Sequence, residues 1–307
     1  MNFYDCYLSY LDYVKIKQKI QSYNSIVGKF KIHILPYFKD FDISDICFTD
    51  YLNWQKMIDE KDYSYCHKRN LHCIFSAFLE FCVNCYGLKN NVAKQVGNFP
   101  KNKCIKNKLS FYTYDEFLKF SSGFDNIIYK YFFHFLFFTG VRPGEAMALK
   151  FSDLNNNFVS INKTIDEHGK REFSTPKTLS SYRTICIDED LVLKLDELKK
   201  FYNKIYFNQV DFYVFGGIKP LAPTTINRYK IKACQKSNIK PIRLHDFRHS
   251  HATLLIDNGV PVNEVSRRLG HGSIVTTLNV YVHNNLDNEK RVMETLNSIK
   301  MHSHSDF

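Results

Sequence analysis

Between Leu244 and Tyr281 the chain reads LHDFRHSHATLLIDNGVPVNEVSRRLGHGSIVTTLNVY. These are helix-forming stretches interrupted by polar groups that an ordinary amphipathic helix does not place there. His245 and Arg248 stand three apart and share a helix face. They fall near a first turn, where unpaired N–H groups and the helix dipole favour an anion. His271 follows a Leu-Gly pair, and Gly270 and Gly272 let the main chain approach a ligand closely. Tyr281 closes an apolar turn. Cations, imidazoles and a phenol together suit a phosphate and a group to attack it. Each has a plainer reading alone: a core histidine, a surface arginine, one tyrosine among twenty.

The 307 residues suffice for about two domains. Hydrophobic residues make up 44% and aromatics 16%, so a large core can be buried. Lys and Arg outnumber Asp and Glu by 42 to 31, which speaks to partners rather than fold. Nucleic acid is the commonest such partner, an anionic membrane surface the second. No apolar run approaches the roughly 18 residues of a membrane span, and the N-terminus MNFYDCYLSYLDYV lacks the zones of a signal peptide. The nine cysteines are scattered. The one CxxC, Cys82 and Cys85, lies in a helical pattern, so buried thiols of a reducing cytosol are expected.

Residues 4–86 read as helices only. Asn24 or Ser25 can cap a helix carrying Val27, Phe30 and Ile34, which Pro36 ends. Thr49 can cap the next, with Leu52, Trp54, Met57 and Ile58. Tyr63–Tyr86 is the longest, and Gly87 stops it. Lys68 and Arg69 on that helix are candidate phosphate contacts. The segment at 89–109 is lysine-rich, lacks acids and reads as a basic interdomain linker. Its Lys101, Lys103 and Lys106 suit a strap along phosphates. From Ser110 a second domain begins with a Thr113–Glu116 capping box and a buried helix over Asn126–Phe138 that Gly140 terminates. Pro143 then opens another helix. Phe158–Lys163, Arg171–Lys177 and Arg183–Ile187 read as three strands of one antiparallel sheet, with turns at Glu167–Gly169 and Leu179–Ser181. Helices resume over Asp190–Tyr206, Pro223–Gln235, Leu244–Asn258, Val262–Leu269, Ile274–Val282 and Leu286–Ile299. The fold class is therefore mostly α with a small antiparallel β-sheet.

Arg142 follows a helix-ending glycine, so a buried helix delivers a guanidinium that forks onto two phosphate oxygens. Lys177 ends a strand beside a turn. A rival reading takes His245 and His249, at i and i+4 in HDFRH, as zinc ligands, with His251 nearby. Against it, the acid is Asp rather than Glu, Arg248 puts a cation on the same helix, and no further ligand is evident.

Arg142, a strand lysine at 177, His245-x-x-Arg248, Leu-Gly-His271 and then Tyr281 form an ordered set that resembles the tyrosine recombinase (phage integrase) family. The flanking TGVRPGEAMAL, TPKTLSSYRTI, LHDFRHSHATLLIDNGV, VSRRLGHGS and TTLNVYVH match as well. The resemblance covers about 110–282 and extends less specifically to the helical N-terminal part.

The resemblance implies a helical core-binding domain (1–88), the basic linker (89–109), an α+β catalytic domain (110–285) and a tail helix (286–307). It implies a site-specific recombinase acting through a covalent 3′-phosphotyrosine intermediate, with Tyr281 as nucleophile. Arg142 and Arg248 would grip the phosphate, His245 and His271 would hydrogen-bond it, and Lys177 would protonate the leaving oxygen. Glu145 would orient Arg142. No cofactor or metal is implied. Double-stranded DNA, self-association to a tetramer on DNA and an accessory excision or DNA-bending protein are the implied partners, in the cytoplasm and at the nucleoid. The tail helix packs either on a neighbouring subunit or on its own domain. Integration or excision of a mobile element is the leading role. An Xer-like resolvase or invertase, a type IB topoisomerase and a DNA-binding protein that lost cutting are the alternatives. The absence of an arm-binding domain ahead of the helices reads as a loss, a compact Xer-like size or a fragment.

Overall fold

The computed structural model describes residues 1–101, 110–165, 173–174, 182–206 and 211–281, with the main chain alone at 173–174, 276 and 279–281. The chain divides into two compact units, Met1–Asn107 and Lys108–Phe307. Among the described residues no helix is long and apolar enough to cross a membrane.

The first unit is helical: α1 (Phe3–Lys17), α2 (Ile20–Lys29), α3 (Leu35–Phe38), α4 (Phe48–Asp59), α5 (Tyr65–Tyr86) and α6 (Val92–Val96). Its core is aromatic, with Phe3, Phe30, Phe38, Tyr51, Trp54, Phe75 and Phe78 fully buried. The helix expected to start at Asn24 or Ser25 begins earlier, at Ile20, and Pro36 does not end it. Between α2 and α3 the chain widens into a π-turn over Phe30–Ile34, where Leu35 N–H reaches back to Phe30 O. Pro36, which has no N–H to give, sits in the first turn after this widening, and the Trp54 indole donates to His33 O at 2.8 Å. The next helix is capped at Cys47, not Thr49: Cys47 N–H donates to Asp50 Oδ2 at 3.0 Å. Ser64 caps α5, and Gly87, at φ 67°, closes it.

The segment read as linker starts as part of this unit. Asn91 caps α6, donating through Nδ2 to Ser76 O (2.9 Å) and Glu80 Oε2 (2.8 Å). Val92, Ala93 and Phe99 are buried in the same core. Lysines at exposed positions hide these few apolar anchors from a reading by composition.

In the second unit Thr113 and Glu116 form the expected capping box on α7 (Tyr114–Ser122). Helix α8 (Ile127–Thr139), capped by Asn126, is buried nearly throughout and ends at Gly140, with φ 64°. Helix α9 (Pro143–Ala148) follows with Arg142 at its cap. Strands β1 (Leu154–Asn155), β2 (Phe158–Ile161) and β5 (Arg183–Cys186) form an antiparallel sheet in the order β1-β2-β5, with Ile161 opposite Arg183. Val159, Ile161 and Ile185 turn into the core. The middle strand of the expected sheet is elsewhere: β4 (Phe173–Ser174) pairs with β3 (Thr164–Ile165) as a separate ladder. Both expected turns lie outside the described residues. Helices α10 (Glu189–Ile205), α11 (Pro223–Ser237), α12 (Asp246–Asp257), α13 (Val262–Leu269) and α14 (Ile274–Tyr281) complete the unit. Helix α12 packs on α8, α13 and α14, so it is the scaffold on which the polar stretch of the sequence is mounted. The expected tail helix at 286–299 lies outside the described residues.

Candidate active site

The site forms where the ends of α8 and α13 meet the first turn of α12. Arg248, in that first turn, is 2% exposed. Its Nη1 donates to Gly140 O at 2.8 Å, its Nη2 to Leu269 O at 2.6 Å and its Nε to His271 Nε2 at 3.3 Å. The two carbonyls belong to residues 129 apart in sequence (269 − 140), each at a helix end with acceptors left over. Burial, then Arg142 and Arg183, lowers the basicity of Arg248. A guanidinium starts so high that it stays charged at neutral pH.

Arg142 reaches the same place from the other side. Its Nη2 lies 3.5 Å from Gly270 O, the carbonyl next to the one Arg248 holds, and its Nη1 donates to Glu145 Oε1 at 2.9 Å. Its side chain is 36% exposed, so solvent reaches this guanidinium. Glu145 is 3% exposed and also accepts Arg142 N–H (2.9 Å) and Arg183 Nη2 (2.8 Å) and Nη1 (3.2 Å). Burial pushes its carboxyl up, but Arg183 and then Arg142 outweigh that and hold it below the usual carboxylate range.

His271 follows Gly270, which adopts the left-handed conformation (φ 69°) at the end of α13. Because Arg248 Nε–H donates to Nε2, the proton is on Nδ1, which donates to Thr277 Oγ1 at 2.8 Å. Thr277 is fully buried on α14. Burial, then Arg248 and Arg142, pushes His271 down to about 3. His245 stands at the cap of α12, its ring edge-on to His249 with centroids 5.2 Å apart. Desolvation by the surrounding protein, then His249, Arg248 and Arg142, pushes it down to about 4. His245 is itself exposed, with the cations Arg248 and Arg142 nearby. Both imidazoles are neutral at pH 7 beside two guanidiniums, so the charge here is positive.

The sequence-named residues thus divide. Arg142 is hydrogen-bonded to Glu145 and Arg248 to His271, the two pairs meeting on the neighbouring carbonyls of Gly270 and Leu269, and His245 stands at the cap next to the turn that carries Arg248. Tyr281 ends α14, one turn beyond Thr277. Lys177, Lys103 and Lys106 lie outside the described residues. Lys101 and Arg69 are exposed in the first unit, and Lys68 is paired with Asp59 Oδ1 at 2.6 Å. For the zinc reading, no group of three or more His, Cys, Asp or Glu that could hold a metal ion occurs among the described residues. His251 has both nitrogens engaged: Nδ1 donates to Phe137 O (2.8 Å) and Nε2 accepts from Arg268 Nε (3.2 Å).

Arg183, Arg268 and Thr277 did not stand out in the sequence. Arg268 donates to Cys186 O at 2.9 Å and Phe138 O at 3.3 Å, tying β5 to the end of α8. One signal was available: Arg183 is two residues before buried Ile185, so it shares the inward face of its strand.

Comparison with known proteins agrees with this geometry. Residues 108–288 match the Phage integrase family. The ICEBs1 integrase of Bacillus subtilis is 32% identical over 295 residues, covering 91% of this chain and 77% of that protein. A tyrosine recombinase of Agathobacter rectalis is 26% identical, covering 97% and 96%. Among solved structures, the Tn1549 transposon integrase in complex with transposon right end DNA superposes with a TM-score of 0.75 at 19% identity, covering 96% of this chain and 99% of that one. A lambda integrase dimer bound to a core site gives 0.73 at 16%, covering 93% and 97%.

Proposed function

Because the chain belongs to the phage integrase family and is thus a tyrosine recombinase, we propose that it cuts and rejoins DNA through a covalent 3′-phosphotyrosine link to integrate and excise a mobile element. The phenolic oxygen of Tyr281 attacks the phosphorus, the bond to the 5′-oxygen breaks, and that oxygen leaves with a proton from Lys177. The phenol proton passes to a site histidine. The 5′-hydroxyl of a partner strand reverses the step. The covalent link preserves the bond energy, so the chemistry requires no nucleotide and no metal ion.

Arg142 and Arg248 stabilise the charge that builds on the non-bridging oxygens. Three of the five N–H groups of Arg248 are held by Gly140, Leu269 and His271. The remaining two are left for a phosphate. An arriving phosphate offsets the field of the two arginines, so both imidazoles gain basicity when DNA binds. What supports these roles is the meeting of Arg142 and Arg248 on consecutive carbonyls, Gly270 and Leu269, directly before His271.

We assign duplex binding to the first unit, with Arg69 and Lys101 as phosphate contacts. Lys68 joins them only if a phosphate displaces Asp59. Assembly as a tetramer on two duplexes, aided by an accessory protein for excision, completes the reading. A lambda integrase tetramer bound to a Holliday junction, whose fold this chain shares, supports the tetramer.

The test is covalent trapping on nicked duplexes built from the DNA flanking the protein's own coding sequence. The wild-type chain should give a protein–DNA adduct that survives denaturing electrophoresis. Tyr281→Phe should give none at unchanged duplex affinity. An adduct from Tyr281→Phe would refute the assignment. Arg142→Ala or Arg248→Ala should each cost about 2–4 kcal/mol of transition-state stabilisation, the scale of a lost oxyanion donor.

A further inference from the structure

Behind the proposed phosphate site, one carboxylate is shared by two arginines of very different exposure. Glu145 accepts from Arg142 through N–H and Nη1, both at 2.9 Å, and from Arg183 through Nη1 and Nη2 at 3.2 and 2.8 Å. The Arg142 side chain is 36% exposed and the Arg183 side chain 7%. Arg183 also donates through Nε to Arg268 O at 2.9 Å, two residues before the carbonyl that Arg142 approaches. The outer guanidinium faces water and the inner one is sealed in protein.

Charge counting gives this arrangement a purpose. A buried carboxylate with Arg142 as its sole partner would cancel that arginine's charge, leaving little to attract a phosphate. With two guanidiniums on one carboxylate, Glu145 does not cancel Arg142 alone, and Arg142 is the more exposed of the two. Of the two, Arg183 has the greater hold on Glu145. The inner pair is bidentate and dry, the strongest form of such a contact.

We infer that Arg183 is a positioning residue for strand cleavage, neutralising Glu145 so that Arg142 is held in place by that carboxylate yet keeps its charge for the phosphate. This rests on the reading of Arg142 as a phosphate ligand. A plain structural staple between β5 and α9 would predict something different when Glu145 is also changed.

Full-length Arg183→Met, Arg183→Lys and the double variant Arg183→Met/Glu145→Gln provide the test. Three quantities are read: adduct formation at saturating nicked duplex, affinity for intact duplex, and affinity for inorganic sulfate by calorimetry. Arg183→Met should slow adduct formation about thirtyfold or more and weaken sulfate about tenfold, with duplex affinity changed less than about threefold. Arg183→Lys, which keeps the charge without the fork, should stay within about fivefold of wild type in both. The double variant should recover about tenfold in rate over Arg183→Met, because the uncompensated carboxylate is gone. A double variant no better than Arg183→Met, an Arg183→Met enzyme of wild-type rate, or a wild-type chain that binds no sulfate overturns the inference. If the wild-type chain forms no adduct while the sulfate pattern holds, the recombinase reading falls, and what stands is that Arg183 keeps Arg142 charged as an anion ligand. If Arg183→Met does not fold, the lysine and double variants decide, and loss of sulfate binding in both overturns it.

Discussion

At Gly140 the main chain turns left-handed, with φ 64°, and its carbonyl accepts from Arg248. A Cβ there would lie 2.6 Å from both His251 Cδ2 and Leu269 Cδ2. Left-handed strain and overpacking add, so Gly140→Ala should lose about 2–4 kcal/mol, measured by urea unfolding followed by far-UV ellipticity. His251 behind it sets an acid limit. Burial, then Arg268, pushes the imidazole down to about 3 from 6.5. The unfolded chain then binds the extra proton first. The stability from neutral His251 is complete above pH 6.5 and is lost as pH falls toward 3, at up to about 1.4 kcal/mol per unit. His251→Gln should flatten the dependence of the urea midpoint on pH across that window. An unchanged slope would show that His251 is not the group responsible. At this scale the sequence was readable where residue type is unusual for its setting: His245 caps α12, Arg248 sits in its first turn, and His271 lies between α13 and α14, all beside apolar runs. Arg183 and Arg268 were not, because an arginine in a short strand or at a helix end is ordinarily solvated. Only burial separates these two from the rest.

Among elements, local rules served well wherever a cap or a glycine is decisive. Thr113 with Glu116, Asn126, Gly87 and Gly140 all bound their helices where short-range chemistry requires. They failed where a distant partner decides. The π-turn at Phe30–Ile34 is supported by the Trp54 indole from another helix. The pairing of Phe158–Ile161 directly with Arg183–Cys186 is a choice of partner that alternation alone does not specify. Helix α14 carries the sharpest prediction at this level. Its Thr277 holds Nδ1 of His271, fixing the tautomer whose Nε2 faces Arg248. Thr277→Val keeps the shape and removes the acceptor. Cleavage should fall about tenfold, the value of one buried hydrogen bond, with duplex affinity unchanged in a filter-binding assay.

For the whole molecule, the two units have separate cores, and the sole tryptophan, Trp54, belongs to the first. Its fluorescence therefore follows that core, while ellipticity follows both. If the two units unfold independently, Gly140→Ala should shift the ellipticity transition in urea and leave the Trp54 midpoint in place, whereas a matching shift in both signals would show that they unfold as one. The chain divides between Asn107 and Lys108, and the folding of Val92–Phe99 onto the first core depends on three apolar side chains in a polar run. The anchors of Arg248 have one more implication, for how such a chain tolerates change. Gly140 and Leu269 offer carbonyl oxygens, which every amino acid possesses, so exchanging side chains does not erase them. Inserting or deleting a single residue would shift them out of register. Changes of length at these two helix ends should therefore be tolerated less than replacements nearby, Gly140 and the buried Leu269 themselves being restricted by their own packing.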